Sequence, residues 1–394
     1  MILMPSATQA ASIQYINQSP EMDSFLHEAA RTYSSSGGGR VGILNTIGGS
    51  YEDTLDQRKK EGNLPAIFTV MGGDQFQKYK NLCLPLEETG AGKLLRDDHF
   101  ALADRKHIAA IGMNNYVSGI LVNTALLQKA GYEVTDLRNQ ESLVRISDEI
   151  QKNAKKLDVD GAFATAALSD DSIWRFSITL TGIPIWYEMQ KKNVDQKKIL
   201  DGYHTLVDLM LRDETTPSGQ AQNYSYDSAR QEFLNRRAVF LLTGTWDSSD
   251  AFTQNFKADE LAVIPLYIGV NDTNQGLCSG SDLYWCISNR ESREKQQEAE
   301  RFLYWLVGTE DGVNLCIQNL GVIPYKTCGV SGSVFYSTDE EMTKQGKEEI
   351  TPTSALIPSA QWKTDMDDAL RSYALGNSEW SKVENCYTAF FKKN

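Results

Sequence analysis

Within its first seventy residues the chain switches hydrophobic spacing again and again, and few folds accept that. SIQYIN (12–17), RVGILN (40–45) and PAIFTV (65–70) are short apolar runs of strand length. Between the first two, EMDSFLHEAARTY (21–33) puts Phe25, Leu26, Ala29 and Tyr33 on one helical face. Ser19 and Pro20 open that helix, and SSSGGG breaks it. GGSYEDTLDQRKKEG (48–62) reads as a turn and a second helix. The order β-α-β-α-β is the opening of a parallel α/β sheet.

Each of these strands ends in turn chemistry: NQSP, NTIGGS and MGGD. In open α/β sheets, ligands sit at the carboxyl ends of strands. Asn17, Asn45, Thr46 and Asp74 therefore stand where a small polar ligand is read. Helix capping and turn formation explain the same residues equally well.

The alternation continues. HIAAIGMNNYVSGILVN (107–123) reads as two strands around GMNNY, followed by a helix at LLQKAG. ESLVRISDEIQKNAKKL is amphipathic, with Leu143, Ile146, Ile150 and Leu157 on one side. DGAFATAAL reads as a strand of small residues. DDSIWRFSITLTGIPIWYEM reads as a helix carrying Trp174 and Phe176, then an aromatic loop with Trp186 and Tyr187. Residues 195–213 form another helix, LAVIPLYIG and LYWCIS two more strands, and REKQQEAERFLYWLVG a clear helix. Two further helices close the chain beyond Pro358. No linker rich in Pro, Ser or charge divides this material. Two lobes that the chain crosses between more than once are expected, rather than two beads on a string.

The net charge is −13, which disfavours a nucleic-acid partner. No run of apolar residues is long enough to span a membrane. The start, MILMPSATQAAS, has the look of a trimmed signal peptide. Six cysteines are scattered without a CxxC pair, so zinc-ribbon and thioredoxin readings fail. Cys278 with Cys286, or Cys316 with Cys328, remain possible bridges beside the plainer reading of buried thiols.

GxSxG, HExxH, GxGxxG and a Walker A loop are all missing, and the four histidines show no metal spacing. No enzyme activity, cofactor or metal is expected. The aromatics carry more. Several lie in polar, glycine-flanked settings: Tyr116 in GMNNYVSG, Trp186 in GIPIWYE, Trp246 in TGTWD. Flat rings suit the C–H faces of a sugar, and neighbouring polar side chains suit its hydroxyls. Core packing is the competing role for each; Trp285 and Trp305 are assigned to it.

These segments resemble the family 1 extracellular solute-binding proteins of carbohydrate ABC importers. The resemblance spans nearly the whole chain. SIQYINQSPEMDSFLHEAARTY is similar to the family's opening strand and helix, and PAIFTVMGGDQFQKYKNLCLPLEE to its third strand and "PL" turn. SGILVNTALLQKAGYE, DDSIWRFSITLTGIPIWYEM, CISNRESREKQQEAERFLYWLVGTEDGV and LGVIPYKT follow in the family's order. FLNRRAVFLLTGTW is similar to the signature that ends in glycine and tryptophan, with Asn235 where glycine is usual.

The resemblance implies a two-lobed, type II periplasmic-binding-protein-like α/β fold with crossover strands and a ligand cleft. The expected lobes are residues 1–112 with 264–326, and 113–263 with 327–394. It implies ligand contacts from Trp246 and Asp247, from Trp174 and Arg175, from Trp186 and Tyr116, from Asn17, Gln18 and Asp74, and from Ser281 and Asp282. It implies a monomeric extracellular protein that passes a carbohydrate to ABC permease subunits. No lipobox cysteine stands in the sequence, so the family's usual lipid anchor is an expectation without its residue. A non-sugar solute, or a carbohydrate-active enzyme with paired carboxylates, are the alternatives.

Overall fold

The opening alternation folds as read. The computed structural model describes residues 12–46, 50–190, 195–217, 219–247, 252, 254–329, 333–351 and 359–392, so the suspected signal remnant lies outside the described residues. The strands are β1 Ile13–Asn17, β2 Val41–Asn45, β3 Ile67–Val70, β4 Ala101–Asp104, β5 His107–Gly112, β6 Tyr116–Asn123, β7 Gly161–Phe163, β8 Ala238–Gly244, β9 Leu261–Ile264, β10 Gln275–Gly280, β11 Tyr284–Ile287 and β12 Glu348–Ile350. Two compact units divide them.

The first unit runs to Asn115 and resumes over Ser281–Gly329. Its sheet has the order β2-β1-β3-β11-β5-β4. β1 lies parallel to β2 and β3, whereas β11 is antiparallel to β3 and β5. The helix Asp23–Ser35 packs Phe25, Leu26, Ala29 and Tyr33 into the core, as its spacing requires. The helix Arg293–Gly308 covers the same core with Ala299, Phe302, Leu303 and Leu306. Each leucine or phenylalanine among these contributes roughly 1.5–3 kcal/mol by leaving water. Trp285 and Trp305 are buried here, and the Trp285 indole N–H donates to the Tyr15 hydroxyl at 2.9 Å.

The second unit holds Tyr116–Gly280 and the chain beyond Gly329. Its sheet has the order β12-β10-β6-β8-β7, with β9 also on β6. The return to the first unit comes at Ser281 rather than at residue 264, because β9 and β10 both pair with β6. β8 is buried along its length, which explains its unbroken apolar run. The helix Gln140–Lys152 begins with an Asn139–Ser142 capping box and buries Leu143, Ile146 and Ile150.

Three expectations are corrected. The strand DGAFATAAL stops at Phe163: the Ala164 N–H still bonds the Phe240 carbonyl of β8, but those of Thr165 and Ala166 turn to side-chain carboxylates. The aromatic loop with Trp186 is helical: a π-helix, Arg175–Leu180, continues as the α-helix Thr181–Met189. Pro184 falls in the first turn after that change of pitch, where the regular hydrogen-bond ladder is already interrupted. Cys278 does not meet Cys286. Cys278 lies on β10 in the second unit, and Cys286 lies on β11 in the first, where its thiol contacts Cys83. All six cysteines are free thiols.

At the FLNRR turn, Asn235 ends the helix Tyr226–Leu234 with negative φ, and Arg236 takes the left-handed position at φ 59°. Its guanidinium lies over the Phe256 ring at 4.5 Å and pairs with Glu260. Among the described residues no helix is long and apolar enough to cross a membrane.

Candidate functional site

In the second unit, sheet register decides which residues share an edge. β6 runs against β8 and β10, with Ser118 opposite Gly244 and Tyr116 opposite Gly280. The start of β6 thus lies beside the ends of β8 and β10. Tyr116 and Trp246 meet there, ring centroids 6.3 Å apart. Trp174 joins them just before the π-helix, its ring edge-on to Trp246 at 5.0 Å and 73°. All three rings are half-buried.

The local sequence explains this placement. Thr245 is tied to β6 twice: its N–H donates to the Val117 carbonyl at 2.9 Å, and its hydroxyl accepts the Val117 N–H at 3.0 Å. The chain then turns, and the indole of Trp246 folds back over Gly244. A Cβ on Gly244 would stand 2.4 Å from that ring and 2.6 Å from the Val117 carbonyl oxygen. The glycine is the space the tryptophan occupies. The Trp246 indole nitrogen is buried and has no hydrogen-bond partner among the described residues.

Asp247 faces inward. It accepts a short hydrogen bond from the Tyr226 hydroxyl and pairs with Arg230 Nε at 2.8 Å. Burial pushes its carboxyl above the ordinary range. Tyr226 in turn takes a hydrogen bond from the Thr243 hydroxyl. Asp247 thus braces the tryptophan turn from behind.

Arg175 is 1% exposed. Its terminal nitrogens donate to the carbonyls of Ala166 (2.6 Å), Leu242 (3.2 Å) and Ala167 (3.4 Å). The guanidinium lies over the Tyr226 ring at 4.7 Å, and burial pulls its pKa down to about 10. Its Nε is buried without a partner among the described residues. Trp186 lies apart from the aromatic group. It is 7% exposed, in the core of the unit, edge-on to Tyr187 at 5.1 Å.

In the first unit, β1, β2, β3 and β5 end on the same edge where β11 begins. Asn17, Gln18, Asp74, Ser281 and Asp282 all fall on that edge. Asn17 accepts the Ser19 N–H at 3.0 Å and reaches Asn45 at 3.4 Å. Gln18 accepts from Gln75 at 3.3 Å, while its own amide nitrogen is buried without a partner among the described residues. Asp74 is exposed in the first turn of the helix Gly73–Tyr79. The Ser281 hydroxyl donates to the Asn114 carbonyl, and the Asn114 side chain bonds Asp282. Asn114 Oδ1 is a further buried atom without a partner among the described residues.

Each edge therefore carries polar groups already removed from water that have no hydrogen-bond partner among the described residues, a costly state. Sequence reading missed Tyr226, Arg230, Gln75 and Asn114. Their side chains act through partners distant in the chain, and no local spacing marks them. Two cavities, of about 680 and 510 Å³, open elsewhere on the second unit and include none of these residues.

The sequence model of a family described as "Bacterial extracellular solute-binding protein" matches residues 28–344. No curated protein matches. Solved structures similar to this chain include a family 1 extracellular solute-binding protein from Bifidobacterium longum subsp. infantis, at TM-score 0.72 and 15% identity, covering 98% of this chain and 100% of that one. The apo form of RafE from Streptococcus pneumoniae matches at TM-score 0.74 and 15% identity, covering 99% of both chains. A sugar transporter from Bacillus licheniformis, in complex with stachyose, matches at TM-score 0.64 and 14% identity, covering 96% of this chain and 98% of that one.

Proposed function

The chain belongs to the bacterial extracellular solute-binding proteins, and from that premise we propose that it captures a sugar or oligosaccharide outside the cell and delivers it to an ABC import permease. Trp246 and Trp174 give the sugar's C–H faces an aromatic surface, and Tyr116 flanks it. Hydroxyls satisfy the spare indole N–H of Trp246 in the second unit and the spare amide groups of Gln18 and Asn114 in the first. Asp74 and Asp282 accept from further hydroxyls. Asp247 and Arg175 support the aromatic rings from behind, and Trp186 supports the helix that follows them. Closure around a hinge is the mechanism that goes with this reading, as in periplasmic binding proteins. Closure follows the ligand's differential affinity for the closed form.

The aromatic group with its unpartnered indole nitrogen is the observation that carries this reading. The sugar-bound B. licheniformis structure of the same fold supports it. A dissociation constant near 1 μM corresponds to about −8 kcal/mol, attainable from one or two stacked rings and a few desolvated hydrogen bonds. The test is a titration of intrinsic tryptophan fluorescence with mono- and oligosaccharides, using amino acids and polyamines as controls. A saturable change with one group of sugars, and no product after hours of incubation, supports the proposal. Silence towards every sugar with a response to a control refutes the carbohydrate assignment.

A further inference from the structure

The turn between β7 and Trp174 is gripped from both sides by ionisable side chains, of which Glu214 and Arg175 are buried and Glu232 is half-buried. On one side, Glu214 accepts the Ala166 N–H at 2.7 Å and the Thr165 hydroxyl at 3.3 Å. Glu232 accepts the Thr165 N–H at 2.8 Å and the Thr215 hydroxyl at 2.5 Å. On the other side, Arg175 holds the carbonyls of Ala166 and Ala167. Between these grips Ala167 sits in the left-handed region at φ 51°, a conformation that costs an alanine about 1–2 kcal/mol. The turn keeps this shape because its neighbours impose it. Beyond it, Leu168 N–H bonds Ala221 and Ser169 N–H bonds Tyr224. Ser169 then accepts the N–H groups of Ser172 and Ile173, and Trp174 follows. The chain from the carboxylates to the Trp174–Trp246 contact is short, and its backbone is held by hydrogen bonds at Thr165, Ala166, Leu168 and Ser169.

Two carboxyls thus converge on adjacent peptide groups. Glu214 is 4% exposed, and neither carboxyl has an ion-pair partner among the described residues. The charged groups facing the turn from the surrounding elements are few. Helix Tyr226–Leu234 supplies Glu232, and the π-helix supplies Arg175. Asp213 precedes Glu214 but is engaged by Arg212 at 3.0 Å, with Asp148 beyond. Helix Gln140–Lys152 presents the neutral Gln151, and Arg371 donates to the Leu168 carbonyl at the turn's far end and pairs with Asp170 just beyond it at 2.8 Å. Like charges so placed, one buried and the other half-buried, do not both ionise cheaply. Burial first, and then the charge of Glu232, push Glu214 up to about 7.

We propose that Glu214 and Glu232 are positioning residues for the Trp174–Trp246 site, fixing the 164–168 turn while one carboxyl is protonated and loosening it when both are charged. Ligand affinity then falls as the medium turns alkaline. This rests on the sugar-binding reading for its ligand, but not for its structural part, and the experiment separates the two.

Near-ultraviolet circular dichroism of the ligand-free protein reports the edge-on tryptophan pair directly. The dissociation constant of whichever sugar the fluorescence panel identifies reports function. In the wild type, the tryptophan bands change between about pH 6 and about pH 8, and the sugar binds about fivefold more weakly at the upper end. Glu214→Gln, a neutral stand-in for the protonated acid, keeps the low-pH bands and affinity at both ends. Wild-type bands that stay constant over this range overturn the proposal without any variant. So does a Gln variant that follows the wild-type profile, and so does pH-indifferent sugar affinity. Where Glu214→Gln fails to fold, Glu232→Gln is expected to show the same loss of pH dependence. Bands that titrate only in the wild type, with no sugar bound by any form, keep the positioning role and remove the carbohydrate reading.

Discussion

Gly244 and Trp246 form one structural feature, since the ring lies where a side chain on Gly244 would project. Trp246→Ala is expected to weaken sugar binding at least about tenfold, a stacked ring contributing about 1–3 kcal/mol by analogy with base stacking. Its melting temperature should stay close to wild type, because the ring is only half-buried; calorimetry and titration of the same sample check both halves. Gly244→Ala behaves differently. The added methyl meets backbone at Val117 as well as the ring, so strand pairing and ring placement both suffer. Lower affinity accompanied by a lower melting temperature is the expected outcome. Unchanged affinity in this variant would show that ring placement does not matter.

Among the elements, the turn and π-helix around Arg175 are the least regular and the most constrained. The Arg175 guanidinium organises three carbonyls and a tyrosine ring, with no carboxylate partner among the described residues. Arg175→Ala leaves those carbonyls buried and unbonded, at a cost of about 3 kcal/mol or more. Denaturant melts should show this loss, whereas a residue whose only role was ligand contact would leave the midpoint alone. The carboxylate side of the turn makes a pH prediction. Glu214 holds its proton to about pH 7 in the folded chain but releases it near its ordinary value when unfolded. The folded state therefore loses stability as pH rises through that interval, by about 3 kcal/mol at most, and none of this loss occurs in Glu214→Gln. Melting temperatures of the two proteins across the interval, compared pairwise, test the sign.

At the scale of the whole molecule, two clusters of buried apolar side chains stand out among the described residues. One holds Phe25, Trp285 and Phe302 and lies within the first unit; the other holds Phe163, Phe240 and Trp362 and lies within the second. Two cores allow two unfolding events, so the ligand-free chain is expected to depart from a two-state transition, with calorimetric enthalpy exceeding the van't Hoff value. A sugar that contacts both units stabilises both by linkage, about 2.7 kcal/mol at a hundredfold excess over the dissociation constant. The transitions should then shift upward together. A shift confined to one transition would place the ligand on one unit alone.

The sequence by itself determined the elements whose periodicity is strong and local. The opening β-α-β-α-β units, the helix 293–308 and the terminal helices need only their own spacing to be read, because each buries one regular face. It also determined TGTWD as a special turn, since glycine beside an aromatic ring has a local steric reason. The tertiary structure decided the rest. QGLCSG becomes β10 only because β6 and β12 flank it; its small residues carry little strand preference of their own. Trp186 and Trp174 occupy similar sequence settings, yet one packs in the core and the other meets Trp246, and only the helix geometry separates them. Arg175, Glu214 and Glu232 are far apart in the chain, and nothing in their spacing marks them as one grip on one turn. Their hydrogen bonds join residues that contact one another only after the sheet has formed, and a local pattern cannot encode a partner that the fold alone brings near.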